Sequence, residues 1–375
     1  LNPSIKIIII DHHKCPKELP NATVIINPQL ADESHPARDL CTAGIIDYLF
    51  RAIPIEGVEI DDYADLVAIG LIADVMPLVH LNRWYVKKGI KKIQEAPLQA
   101  VLELCIIAKV NHESITAKDI AFGIAPRLNA AGRLGDPTIA VKTLLEEDSK
   151  KIEEFIHELE KVNIKRKTLG EGIQQDINDQ LKADEQTKGN SIICSGKFWH
   201  TGIIGINASR IVDKYHKPAI VIGFDETSAR GSARSVPNVN IYNIIKNCSE
   251  HLEKFGGHSQ AAGFSLKPEN ITKFMNEFKE KCNSSIHQNE LKKQLFIDAQ
   301  LPLKNITLDF IDELKKLEPY GSANPEPIFT TTALLIDAKK VGQKHNHLKC
   351  RFEENGTVID GIGFNLGNKL STIQH

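Results

Sequence analysis

No apolar run in the 375-residue sequence is long enough to span a membrane, and no signal peptide is visible. These absences exclude a helical membrane protein and predict a soluble chain in the cytoplasm. The seven cysteines are odd in number and scattered without paired spacing, which excludes a disulfide framework and predicts reduced thiols. Positive charge is not in excess either: 46 Lys and Arg against 48 Asp and Glu leave a net −2, so the chain lacks the global signature of a nucleic-acid binder. Any site for a polyanion must be a local groove. The first residue is Leu1 rather than methionine, just before an apolar run, which predicts a fragment cut inside a domain. What is present is ordinary for a globular protein, 42% hydrophobic and 25% charged residues, with length for two or three domains.

The run Ile7 to Ile10 is followed at once by Asp11, His12 and His13. Four β-branched residues, too few for a helix and apolar on both faces, predict a central strand of a parallel sheet, buried on both sides. Ligands of open α/β sheets bind outside the carboxyl ends of the strands, so the acid and two imidazoles stand where chemistry is usually done. Carboxylate plus imidazole suits manganese, or magnesium if oxygen ligands dominate. A polar surface turn is the plainer alternative. A second strand is expected at 23–27, stopped by Pro28, and a helix at 42–50 whose small residues approach the sheet. The stretch 63–72, with Gly70 for tight packing, reads as helix or strand. Asp74 is the only acid between Leu66 and Leu78, and a carboxylate there needs a metal or an arginine.

A helix at 82–93 carries Lys87, Lys88, Lys91 and Lys92, read as a solvated face. In 123–135, Arg127, Asn129 and Arg133 lie among small residues, which reads as a loop whose guanidinium groups clamp phosphate, or as a plain surface turn. One amphipathic helix is expected from 144 to about 183, weakened at Gly170 and Gly172. Unbroken, it would extend about 60 Å, as an interdomain strut or one half of a coiled coil. A turn at Gly189-Asn190 opens a new domain, with strands at 191–194 and 219–224 and a helix at 208–215. The stretch 230–235, holding Arg234 between Ser232 and Ser235, reads as a polar loop able to form an anion nest. Gly256 and Gly257 are expected to present His258 from a helix start to an anionic ligand. Strands at 328–336 and 348–352, with a turn at 354–356, predict a small β-barrel or sandwich, incomplete where the chain stops at His375.

Taken together, six motifs in order resemble the DHH phosphoesterases and, within them, the RecJ single-strand-specific exonucleases. They are Asp11-His12-His13; the run from Ala68 through Asp74 to Leu78; Pro126 to Arg133; Trp199 to Ile206 with Ala208-Ser209-Arg210; Phe255 to His258 with Ala261-Ala262-Gly263; and Glu318-Pro319-Tyr320-Gly321 with Asn324-Pro325. The resemblance implies an α/β fold: part of a parallel-sheet DHH domain at 1–143, a connecting helix at 144–187, a smaller α/β DHHA1 domain at 188–285 and an oligonucleotide-binding barrel portion at 286–375. It implies 5′ to 3′ degradation of single-stranded DNA to mononucleotides, in DNA repair and recombination, with two manganese or magnesium ions activating a water. Carried over by position, His12 and Asp74 are metal ligands and Asp11 orients the site. His13 faces the scissile phosphate, and His258 reaches it from the other domain. Arg127, Asn129, Arg133, Ser232, Arg234, Ser235, Gly256 and Gly257 are the phosphate-binding candidates. A single-strand-binding protein and a helicase are the implied protein partners, and no membrane is involved.

The sequence departs from the family in one respect. The Asp-x-Asp motif and a further aspartate that RecJ-like proteins carry before the DHH motif do not appear, so the two-metal site is expected to lack about half its ligands. The parent is then an exonuclease, and this stretch alone is expected to be inactive and marginally folded ahead of the long helix. Two other readings stay open: a phosphodiesterase for short oligonucleotides or cyclic dinucleotides, and a non-catalytic scaffold. The C-terminal β region argues against the first. The joint presence of His12, His13, Asp74 and His258 argues against the second.

Overall fold

The computed structural model describes residues 5–16, 18–183 and 187–373. The expected start at Leu1 and end at His375 lie outside them. The polypeptide forms two compact units, one from Leu1–Lys92, Thr116–Lys118 and Leu295–His375, the other from Ile93–Ile115 and Asp119–Gln294. The stretch expected as one barrel domain, 286–375, is thus divided between them at residue 294.

In the first unit, β1 (Ile8–Ile10) pairs in parallel with β2 (Val24–Ile26), with Ile8 opposite Val24. The parallel pairing is as expected; full burial is not. Ile8 is 62% exposed, because β2 is the one strand paired with β1 among the described residues. Helix α1 (Thr42–Ala52) follows, and the ambiguous stretch is helix α2 (Ala64–Ala73), buried almost all round, which is why its sequence shows no clear apolar stripe. Gly70 packs tightly, as expected: a Cβ there would meet Ala43 Cβ at 2.9 Å. The lysines of α3 (His80–Glu95) are not a plain solvated face. Lys88 pairs with Asp61, and Lys92 Nζ lies 3.3 Å from Asp62.

The C-terminal part joins the same unit: Leu78 N donates to Ser322 O at 2.7 Å, and Arg83 to Lys316 O at 3.2 Å. It holds helix α12 (Leu308–Lys315), the parallel pair β8 (Ala299–Gln300) and β9 (Phe329–Thr330), and an antiparallel sheet β10 (Leu334–Val341), β11 (His347–Glu354) and β12 (Thr357–Gly363). The single strand expected at 328–336 is therefore two. Asn355 (φ 50°) and Gly356 (φ 83°) form the β11–β12 turn, whose left-handed pair matches strand twist.

In the second unit, α4 (Gln99–Ala108), α6 (Ala125–Leu134) and α7 (Thr138–Leu145) pack on α8 (Ser149–Ala183). The expected loop at 123–135 is α6, entered from α5 (Ala117–Asp119) through a π-helical turn at Ile120–Ile124. Its Ala, Leu and Arg residues favour helix, Pro126 sits in the first turn where no N–H is needed, and Ala130 and Ala131 are buried. Helix α8 begins at Ser149, five residues later than expected, because Asp148 accepts from the Lys150 and Lys151 N–H groups at 3.0 and 3.1 Å. Its 35 residues extend about 52 Å. It is neither a bare strut nor a coiled-coil half: Ile152, Ile156 and Leu159 are buried at one end, Ile173, Ile177 and Leu181 at the other, within the same unit.

Beyond it lies a five-stranded sheet in the order β3 (Ile192–Lys197), β4 (Ala219–Phe224), β5 (Ala229–Arg234), β7 (Ala261–Leu266) and β6 (Lys254–His258), with β3 and β4 parallel and the rest antiparallel. Helix α9 (Ile204–Tyr215) covers one face over β4 and β5. Helices α10 (Ile241–Lys246) and α11 (Ile271–Ser285) share a core with Phe264, Phe274 and Phe278. Two expectations are corrected. The supposed loop at 230–235 is the central strand β5, and His258 ends strand β6 rather than starting a helix.

Gly89 of α3 sets the approach of α3 to α2: a Cβ there would fall 2.3 Å from both Ala64 O and Ala68 Cβ. Helix propensity alone favours Gly89→Ala by about 1 kcal/mol. The clash is with backbone and outweighs it, at up to about 3 kcal/mol. We expect Gly89→Ala to lower stability by about 2 kcal/mol in urea unfolding; a stabilised variant would refute the packing.

Candidate metal and phosphate sites

In the first unit, β1 ends where Asp11 N donates to Ile26 O at 3.1 Å, and the chain then turns. Asp11 Oδ1 holds that turn: it accepts from the N–H groups of His12 at 2.8 Å and His13 at 3.3 Å and lies 2.7 Å from His13 Nδ1. The His13 hydrogen bond, ahead of the other contacts, keeps the Asp11 carboxyl below its ordinary range. His12 is held on both nitrogens, Nδ1 3.1 Å from Thr42 Oγ1 and Nε2 2.7 Å from Asp74 Oδ2. Asp74 caps α2, so that helix delivers the carboxylate to the imidazole. His13 is 75% exposed, with its Nε2 left for a ligand. Thr42, first residue of α1, was not legible in the sequence, since nothing local marks a partner thirty residues away.

This geometry brings together Asp11, His12, His13 and Asp74. Nitrogen and carboxylate oxygen 2.7 Å apart differ little from adjacent ligands on one cation at metal–ligand distances of about 2.1 Å, so His12 Nε2 and Asp74 fit a divalent ion with slight opening. Among the described residues, Asp11, His12 and His13 also form a cluster of converging ligand atoms. With Thr42 on Nδ1, His12 has its ring orientation fixed by a second hydrogen bond, as metal-bound imidazoles generally do.

The phosphate candidates fall in the second unit and separate into two groups. Arg127 and Ser235 are committed to the interior. Arg127 is buried, with Nε 2.7 Å from Glu160 and Nη1 donating to Gly123 O at 2.6 Å. Ser235 Oγ donates to Val239 O at 2.8 Å. Both are corrections, since neither presents a donor to a ligand. Asn129 lies exposed on α6. Arg133, Ser232 and Arg234 instead gather at the start of α9. Arg133 Nη1 donates to Gly202 O at 3.3 Å, Arg234 Nη1 to Ser232 Oγ at 3.0 Å, and a Cβ on Gly205 would meet Ser232 Oγ at 2.9 Å and Arg234 Nη2 at 3.0 Å.

Two further arginines belong there, which the sequence does not single out by composition alone: Arg166 of α8 and Arg210 of α9. Arg166 is pushed below its ordinary value by burial, then by Arg133 and Arg210; Arg234 by burial, then by Arg133. Among the described residues, no carboxylate offsets these effects. Guanidinium groups held close without a paired carboxylate repel one another, and an anion would relieve that repulsion. Arg210 had a signal, since it lies in the Ala208-Ser209-Arg210 motif.

Of the two glycines before His258, Gly257 is conformationally required: its φ is +140°, and a Cβ would fall 2.3 Å from Ala261 O. A Cβ on Gly256 would meet nothing within 4 Å. His258 is exposed at the end of β6, its Nδ1 accepting from Gln260 N at 3.3 Å.

Comparison with known proteins matches three family models: the DHH family N-terminal domain over residues 2–71, the DHHA1 domain over 188–284 and the RecJ OB domain over 297–375. The single-stranded-DNA-specific exonuclease RecJ of Haemophilus influenzae is 32% identical over 98% of this chain and 68% of its own length. The protein of that name from Bacillus subtilis is 31% identical over 97% of this chain and 46% of its own length. The crystal structure of RecJ in complex with Mn2+ from Thermus thermophilus superposes with a TM-score of 0.82 at 28% identity, over 96% of this chain and 53% of that one. The chain therefore spans from about half to two thirds of the length of these relatives.

Two measurements check the assignments. In a Mn2+ titration followed by electron paramagnetic resonance, His12→Ala abolishes tight binding and Thr42→Val weakens it about tenfold, the usual effect of losing an outer hydrogen bond on a metal-ligating histidine; unchanged binding in Thr42→Val would show that the hydroxyl does not orient His12. In thermal and urea unfolding, Arg127→Met costs about 3 kcal/mol by stranding Glu160. Arg234→Met, which removes a repelled charge, leaves stability equal or higher while weakening phosphate binding. Equal stability losses in the two variants would sink the division.

Proposed function

The chain belongs to the RecJ family, and from that membership we propose that it takes part in metal-dependent exonucleolytic hydrolysis of single-stranded DNA, 5′ to 3′, with mononucleotides as product. The observation that carries the reading is the convergence of His12 Nε2 and Asp74 Oδ2, 2.7 Å apart, beside an Asp11-braced His13. Manganese or magnesium is the ion these donors suit, and the Mn2+ and Mg2+ complexes among the similar Thermus structures support the same choice. The bound ion supplies an activated water and counter-charge for the phosphoryl oxygens.

The chain's own residues do the rest. His12 and Asp74 hold the ion. Asp11 accepts from His13 Nδ1–H and fixes the ring, so the imidazolium form of His13 presents Nε2–H to a non-bridging phosphate oxygen. His258, exposed at its strand end in the second unit, is a further phosphate donor in this reading. The arginines around the start of α9, with Ser232, hold a terminal phosphate by charge and bidentate geometry. The region matched by the RecJ OB model supports a polymeric rather than a dinucleotide substrate. Repair and recombination in the cytoplasm, beside a single-strand-binding protein and a helicase, complete the proposal. No described helix is long and apolar enough to cross a membrane.

The test is Mn2+-dependent release of mononucleotides from a 5′-phosphorylated single strand by the natural protein. His13→Ala and His258→Ala are each expected to lower kcat by about 10² to 10⁴, the usual range for a positioned proton donor, and chelation to abolish turnover. Rapid cleavage of a dinucleotide with none of the long strand would replace this reading by the short-oligonucleotide phosphodiesterase.

A further inference from the structure

The second unit brings another imidazole together with two carboxylates, away from the arginine cluster and from His258. A 3₁₀ turn at Ser249–His251 leads into β6 and packs on α11. His251 Nε2 lies 2.9 Å from Glu277 Oε2 of α11 and 3.5 Å from Glu250 Oε1. One ligand atom from each of the three residues lies within 4.8 Å of the other two. Asn270, which caps α11, donates through Nδ2 to His251 O at 3.5 Å and holds the turn against the helix start.

A plain ion pair leaves part of this arrangement unexplained. Glu277 Oε2 is buried and accepts no hydrogen bond, although His251 Nε2 is only 2.9 Å away, so the ring does not aim a proton at it. A buried carboxylate oxygen in that condition is costly. Lys281 Nζ approaches the other oxygen, Oε1, at 3.8 Å. The negative charge reaches Cys248, whose thiol is pushed up to about 12 by burial first and by Glu277 next.

A nitrogen and an oxygen that lie close without facing each other are what a shared cation requires. Two ligands each about 2.0 Å from a tetrahedral zinc ion stand about 3.3 Å apart. The observed 2.9 and 3.5 Å fall on either side of that separation. The pairing also repeats that of His12 Nε2 with Asp74 Oδ2 at 2.7 Å. An imidazole beside two carboxylates suits zinc better than the all-oxygen ions, and three protein ligands leave a fourth position for water.

We propose that Glu250, His251 and Glu277 form a zinc site that clamps the entry of β6 to α11. Within the sheet β6 is an edge strand, hydrogen-bonded to β7 alone, and it ends at His258. An ion at its entry ties the strand to a helix of the core from the side where no neighbouring strand holds it. The ion takes no part in hydrolysis, and the site stands whether or not the exonuclease reading does.

The experiment uses the natural protein stripped with EDTA and carrying His12→Ala, so that the first-unit pair no longer takes up metal. Zinc per chain is counted after gel filtration, and Kd is measured by competition with a zinc-sensitive dye. The His12→Ala protein binds one Zn2+, and free Zn2+ a hundredfold above Kd raises its melting temperature by about 5 °C. Adding His251→Ala abolishes uptake. Adding Glu250→Ala weakens it at least about tenfold, since losing a ligand costs no less than losing an outer hydrogen bond on one. Glu250 is 73% exposed, so its replacement leaves the fold intact and keeps the test decisive if His251→Ala melts early. Zn2+ also slows hydrogen exchange of the β6 amides in the His12→Ala protein. A His12→Ala protein that takes up no zinc, or whose uptake neither further replacement changes, would overturn the site. Zinc bound through His251 without slower exchange in β6 would overturn the clamp.

Discussion

A strand can carry arginine at alternate positions only if the residues between them fill a core, and in β5 Ala229, Gly231 and Ala233 do so. A Cβ on Gly231 would fall 2.0 Å from the Phe264 ring, so the aromatic layer of Phe264, Phe274 and Phe278 reaches the strand backbone itself. This pins the register, since a slip of one residue would drive Arg230, Ser232 and Arg234 into that layer. The charged face is thus fixed by packing on the opposite face. The cationic cluster at α9 and the position of His258 inherit their geometry from it.

That arrangement also accounts for a nucleic-acid reading in a chain of net charge −2. Long-range attraction scales with summed charge, whereas contact affinity depends on the groups within about a Debye length of the phosphate, some 8 Å in physiological salt. Arg133, Arg166, Arg210 and Arg234 lie near enough to act on one another, while acids elsewhere balance the total. Burial makes Arg166 and Arg234 more expensive alone and more effective with an anion present, because the same low dielectric acts on both terms. The histidine site in the first unit works differently. Its imidazole is oriented by Thr42 and Asp74, and its acid is braced by backbone N–H groups, so the ligands stand ready without clustered like charge.

Much of this is legible in the sequence where residue type alone determines the outcome. Asp11, His12 and His13 follow a β-branched run, and Pro28 stops the next strand. Gly70 marks a helix contact. The errors share one cause. Short segments rich in small residues and arginine read as loops at 123–135 and 230–235, yet one is helix α6 and the other the central strand β5. Alanine and glycine carry little periodic hydrophobic signal, so the pattern that distinguishes period 3.6 from period 2 is nearly silent there. Arg127 and Arg133 illustrate the limit. They sit six residues apart on one helix, and only Glu160, on α8, decides that the first is structural.

The fate of Arg127 bears on how the remaining arginines should be understood. It shows that this interior can pair a guanidinium with a carboxylate when the fold requires it, at 2.7 Å and with carbonyl acceptors besides. Arg166 and Arg234 are also partly buried, yet what shifts them is burial and other arginines, and the acceptors they do reach, Asn163, Ser232 and a carbonyl, are neutral. Leaving them so costs stability, since replacing a repelled, half-desolvated cation by an apolar side chain is favourable by itself. A neutral hydrogen-bond partner orients a guanidinium without cancelling its charge. The charge remains available to a phosphate.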